Sequence, residues 1–419
     1  MHTSFDRLSK FFGIAFLAAI IPAVSVAQNS QTQPPAKATH EDPSRQHAEE
    51  LYSQGKFVAA MPLFEALVTD HPSDVVVRER WAWCVFQYAA TLPDPEQRKS
   101  VRARARKIAV EAKGLGDNTQ LLQLMLEQPE DGGSDVTFSD SKEVDSAMKA
   151  AEADFSRGDL DKAREGYMRV LTMDPNNYDA ALFTGDVFFK QHRYDSAGEW
   201  FSRAIKIDAN RETAYRYWGD ALVAMGKEDE ARSKFIDGIV ADPYSNRSWI
   251  GLQNWLKRNK VELNNVRLKD GAAVAQKDEK NISITIDDSS FKKKNDPNGL
   301  AWMTYSMGRA SWQGDQFKKE FPNEPKYRRT LKEESESLGL MITVLKEQKD
   351  YEKQLKNLDP SLQSLIKIQE AGFLDPFVLL NRADAEIARD YQPYRAANRE
   401  KIRRYLDEFV VPKTPARAK

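Results

Sequence analysis

Displaced by 34 residues, this sequence lies on itself. Ala151 falls on Gly185 and Gly219, Ala163 on Ala197 and Ala231, and Tyr167 on Phe201 and Phe235. Val170, Ala204 and Gly238 form a further column, and Pro175, Ala209 and Pro243 another. Small and aromatic residues in fixed order at a fixed period demand one supersecondary unit, repeated so that each copy buries the face of its neighbour. The unit that satisfies the columns is a pair of antiparallel helices. Small residues let the two helices approach closely, and an aromatic ring from the second fills the space beside them. Turn signals agree: "SRGDLDKA" and "AMGKEDEA" carry Gly158 and Gly226 between the helices, and "DPNN" and "DPYS" close two of the periods.

This pattern of small residue, aromatic, alanine, aromatic and proline resembles the tetratricopeptide repeat family over residues 144–245. It continues into "RSWIGLQNWLKRN" as a closing helix. A weaker copy, "AEELYSQGKFVAAMPLFEALVTDHPSD", has Ala48, Gly55, Ala60, Phe64 and Pro72 in the corresponding places. The segment after it supplies Trp81 and Ala82 to a first helix, and "TLPDPEQRKS" lengthens the turn before a basic second helix. The expected fold is therefore all-α: a helical-hairpin solenoid, then a small β element and a second helical domain.

The expected organisation is a signal peptide at 1–27, a disordered segment at 28–42, two repeats at 43–128 with the second irregular, and a polar linker at 129–141. Three repeats with a capping helix follow at 142–259, then a linker at 260–298 with a short strand, a helical domain at 299–411 and a disordered tail at 412–419. The leader is read from Arg7 and Lys10, the apolar run Phe11 to Val26 and the small residues Ser25-Val26-Ala27. It points to export, to a periplasm first, with secretion or an uncleaved anchor as alternatives. The strand is read from Ile282, Ile284 and Ile286 in "NISITID". Cys84 is the sole cysteine, so no disulfide can form within the chain and stability must come from packing.

The resemblance implies a concave surface lined by the first helix of each hairpin. Three columns stand there: Met148, Leu182 and Arg216; Glu152, Asp186 and Asp220; Phe155, Phe189 and Val223. Steps of four and three put them on one helical face. Three carboxylates in register beside an apolar strip suit a partner polypeptide carrying basic residues among apolar ones. The alternative is structural, since Asp186 with Lys190 and Asp220 with Arg216 are spaced for helix-surface pairs. The family's clamp for C-terminal carboxylates uses Lys and Asn, and Met148, Glu152, Leu182 and Asp186 do not supply them.

Other function classes find little support. With 62 basic and 63 acidic residues the net charge is −1, which gives no bulk attraction to nucleic acid. His40, His47, His71 and His192 lack partners at metal-ligand spacing, no Gly-rich phosphate loop follows a strand, and no cofactor is expected. Ser139 with Lys142 and Ser364 with Lys367 match a Ser-x-x-Lys catalytic motif without its companions. No catalytic residue is assigned. A second class of reading places a ligand-binding or catalytic module in the C-terminal helices, where Trp302, Tyr305, Arg309 and Trp312 would stack on a glycan or small molecule. The end of the chain from Tyr391 is locally basic, which suits a solvated helix face or peripheral association with an anionic envelope surface.

Overall fold

A computed structural model describes residues 43–92, 94–133, 136–269, 271–276, 282–286 and 296–414. The leader, the segment up to residue 42 with His40, and residues 415–419 lie outside the described residues. The chain divides into two compact units, one ending at Gly226 and the other starting at Lys227. The division falls inside the fifth repeat, whose two helices belong to different units.

In the first unit the helices pair as the columns require. They are α1 (Pro43–Ser53), α2 (Phe57–Asp70), α3 (Val75–Thr91), α4 (Pro95–Gly114), the short α5 (Gln120–Leu126), α6 (Lys142–Arg157), α7 (Leu160–Met173), α8 (Tyr178–Lys190), α9 (Tyr194–Ile207) and α10 (Thr213–Ala224). Starts are set by side-chain caps. Asp74, Asp94, Thr119, Ser141 and Asn177 each accept from a backbone N–H two or three residues into the following helix, satisfying a donor that the helix cannot. Gly158 ends α6 in the left-handed region at φ 85°.

The columns are contacts. A Cβ on Gly185 would stand 2.5 Å from the Phe201 ring, so only a bare backbone lets α8 and α9 close to this distance. Two apolar clusters result, one around Tyr52, Phe64 and Trp83, the other around Tyr167, Leu182, Phe201 and Tyr217. Cys84 is buried in the first, and burial pushes its thiol well above the ordinary range.

The polar stretch after α5 is not a free linker. Arg102 of α4 donates to the carbonyls of Gly132 (2.6 Å) and Gly133 (3.0 Å), Arg106 donates to the Gln128 carbonyl (2.8 Å), and Lys99 pairs with Asp131. Basic α4 thus straps the segment down, and further on the Phe138 N–H donates to Asp145 at the start of α6. With the strap in place, α3 packs against α6 and the hairpins stack across residues 129–141.

The second unit opens with α11 (Glu228–Ala241) and α12 (Asn246–Asn259). The isoleucine strand β2 (Ile282–Ile286) has an antiparallel partner the sequence did not announce, β1 (Ala272–Gln276), with Val274 opposite Ile284. This hairpin lies on α13 (Pro297–Ser311), which pairs with α15 (Leu331–Lys346); the short α14 (Phe317–Glu320) comes between them in the chain. α16 (Tyr351–Leu355), α17 (Pro360–Glu370), α18 (Leu374–Asn381) and α19 (Tyr391–Tyr405) complete it.

The chain end is held against α11. Arg232 donates to the carbonyls of Pro412 (2.7 Å), Val411 (2.5 Å) and Asp407 (3.0 Å) and to the Asp407 carboxylate. Arg403 pairs with Asp237 at 2.9 Å, and the Tyr391 hydroxyl donates to the Val240 carbonyl. Two expectations are corrected here. Residues 412–414 are tied down rather than a loose tail, with Thr414 bonded to Asp229. Much of the basic charge near the C-terminus is spent on internal acceptors rather than presented to an anionic surface. Among the described residues no helix is long and apolar enough to cross a membrane.

Candidate binding cleft

The three expected columns lie on α6, α8 and α10, and the acidic one does converge. Asp186 feels both Glu152 and Asp220, with Lys190 and Arg216 opposing them. It is not an exposed strip. Asp186 is 6% exposed and one of its carboxylate oxygens has no hydrogen-bond partner. Burial first, then Glu152, pushes its carboxyl well above the usual range. Glu152 accepts from the Tyr167 hydroxyl, and burial, with Asp179 adding to it, raises the carboxyl to about 7. Desolvation thus favours the protonated form of two of the three carboxyls in the column, Glu152 and Asp186.

The apolar column is corrected further. Met148 and Leu182 are fully buried in the same core as Tyr167 and Phe201. First helices of neighbouring repeats touch, as α8 and α10 do, and apolar side chains at this register close into the seam rather than face a partner. Arg216 is also buried, its Nε 3.1 Å from Glu212 and its guanidinium over the Tyr217 ring. Phe189 is buried edge-on to Tyr194. Phe155 and Val223 remain half-buried, and Asp220 lies beside them in the same exposure class.

What remains open is a cleft of about 1350 Å³ within the first unit. One wall is the turn between α1 and α2, with Gly55, Lys56, Phe57 and Val58. A second is the end of α3, with Phe86, Gln87 and Leu92. The third is the α6 face that carries Lys149, Glu152 and Phe155, and Lys190 closes it from α8. Of the expected residues, Glu152 and Phe155 line it. Sequence reading missed the α1–α2 turn and Lys190, because the walls come from different repeats.

The C-terminal candidate does not survive as a stacking site. Trp302, Tyr305, Arg309 and Trp312 are all buried, so no aromatic face is offered to a ligand. They gather around three glutamates in the first two turns of α15. Tyr305 donates to Glu334 at 2.9 Å, Arg309 to Glu333 at 2.5 Å, and Trp312 Nε1 to Glu336 at 3.1 Å, while Trp302 stands edge-on to Tyr305. Arg382 and Arg329 also pair with Glu334. Burial works against ionisation of Glu334, but Arg382 and then Arg329 overcome it and hold the carboxyl below the usual range. Arginine and aromatic residues grouped on α13 therefore specify a core. The glutamates that reveal this look, in sequence, like an ordinary acidic first turn.

Among the described residues no group of His, Cys, Asp and Glu could hold a metal ion. Ser364 Oγ donates to the Pro360 carbonyl, and Ser139 Oγ accepts from the Ser141 N–H.

A tetratricopeptide-repeat profile matches residues 148–212, the hairpins α6 to α9 whose close contacts are described above. Residues 148–212 are a tetratricopeptide-repeat segment. No curated protein matches it. Among solved structures, the MamA protein is 16% identical, with 48% of this chain and 90% of that one covered at a TM-score of 0.24. The TPR2AB domain of yeast Sti1, solved in complex with pHSP90, is 12% identical over 51% of this chain and 95% of that one, TM-score 0.26. The TPR domain of P58(IPK) is 12% identical over 87% and 96%, TM-score 0.25. These values are too low for the superpositions to inform the arrangement of the tetratricopeptide repeats here. Repeats of this kind support a protein-protein interaction scaffold in general terms.

Proposed function

We propose that this protein is an exported adaptor that holds a segment of a partner polypeptide in the cleft between its first, second and third repeats, within cell-envelope assembly or tethering. The observation that carries the reading is the cleft itself. It is wide enough for several side chains, partly aromatic through Phe86 and Phe155, and built from residues of four separate hairpins. Export is supported by the basic start, apolar run and small residues that end at Ala27. A basic partner seated on Glu152, Asp186 and Asp220 is disfavoured, because Asp186 is buried and Glu152 already accepts from the Tyr167 hydroxyl.

A photo-crosslinking residue placed at Phe155 in cells should give a discrete protein adduct. The same probe at Met168, exposed on α7, should not. No adduct from Phe155, or equal adducts from both positions, would reject the cleft as the binding site.

A further inference from the structure

Lys190 is the last residue of α8, and its ammonium reaches across to the α1–α2 turn. Its Nζ lies 3.8 Å from where a Cβ on Gly55 would stand, and Lys56 follows Gly55 in the chain. Both lysines line the cleft, and among the described residues neither ammonium forms a hydrogen bond or an ion pair within 4.0 Å. Asp186, one turn earlier on α8, is outside that distance. Burial lowers the affinity of Lys190 for its proton, with Asp186 only partly restoring it. Lys190 is half-buried with no ion pair within 4.0 Å, a costly state that an incoming anion relieves, and Lys56 beside it is exposed.

The other charges of the cleft are already engaged. Arg98 donates to the Leu92 carbonyl, Arg102 to the strap, Lys149 to Asp145 and Arg157 to Asp154. Asp159 is shared between Arg157 and Lys162, and Glu152 accepts from Tyr167. Positive charge is therefore left at Lys56 and Lys190, beside the apolar surface of Phe57 and Phe155.

The geometry points to an acidic partner segment, with one carboxylate seated between Lys190 and Lys56 and neighbouring apolar side chains lying on Phe86, Phe155 and Leu92. This rests on the cleft being the polypeptide site proposed above.

The test is a selection of random dodecapeptides on the full mature chain, run in parallel on Phe155→Asp and on the double variant Lys56→Gln/Lys190→Gln. The wild type should enrich peptides with Asp or Glu flanked by apolar residues. A synthetic copy of the enriched peptide should bind the lysine variant about tenfold or more weakly, with a shallower salt dependence. Amidating the peptide's C-terminus, or replacing its Asp and Glu by Asn and Gln, then shows which carboxylate is read. Enrichment of neutral or basic peptides, or equal binding by the lysine variant, overturns this inference while leaving the cleft as a polypeptide site. Enrichment that is unchanged by Phe155→Asp, or no enrichment at all, overturns the cleft reading and this inference with it.

Discussion

The Tyr167 hydroxyl on α7 donates to the Glu152 carboxylate on α6, tying the two helices of one hairpin at the edge of the cleft. Because burial raises this carboxyl to about 7 from the usual range, the folded state holds the proton more tightly than the unfolded chain does. Its contribution to stability should therefore be fully present below about pH 4.5 and be lost as pH rises towards 7, where Glu152 must ionise in place. Allowing for its partly exposed edge, the effect is of order 1–2 kcal/mol. Urea unfolding of Glu152→Gln against wild type at pH 5 and pH 8 should show the variant gaining relative stability only at the higher pH. A constant difference would refute this.

Gly185→Ala should destabilise the first unit by about 1–3 kcal/mol, because its Cβ would press on Phe201. Adding Phe201→Leu should recover part of that loss, making the pair non-additive in thermal melts.

Gly132 has φ 86°, and a Cβ there would meet the Lys99 carbonyl at 1.9 Å. Gly132→Ala should lift the strap from α4. Hydrogen exchange over residues 127–133 should accelerate by about tenfold or more, with α8 and α9 unchanged.

In the second unit, Glu334→Ala removes the acceptor shared by Tyr305, Arg329 and Arg382 and should cost about 3–5 kcal/mol. Since the arginines hold this carboxyl below its ordinary value, its contribution is present above the unfolded pKa and is lost as pH falls through the lowered one. Glu334→Gln should flatten that acid limb in a pH series of melting curves.

The hairpin array was legible because its information is local and periodic. Ala151, Gly185, Ala163 and Phe201 each report on a neighbour within one or two helices, and the structure places them there. The cleft was half legible. Glu152 and Phe155 follow from their register on α6, but Lys190 and Gly55 meet only through the path of several intervening helices, which no spacing encodes. Met148 and Leu182 were misplaced for a related reason: helical phase assigns a face, and only neighbouring repeats decide whether that face is covered. The strap escaped notice because a polar, glycine-containing stretch has the composition of a linker whether or not Arg102 and Arg106 hold its carbonyls. In the second unit, aromatics and an arginine clustered on α13 have the composition of a ligand site, and what makes them core is Glu333 and Glu334, a long loop away.

The Arg232 clasp bears on how this molecule can be cut. An expression boundary set at Asn259, where the repeat pattern fades, would discard Asp407, Val411 and Pro412, and with them every acceptor that Arg232 uses. It would also strip Tyr391 and Arg395 from the carbonyls that end α11. Such a fragment would carry a stranded guanidinium and a newly wetted helix flank, so the distant C-terminal stretch serves as the missing half of the last hairpin's cap.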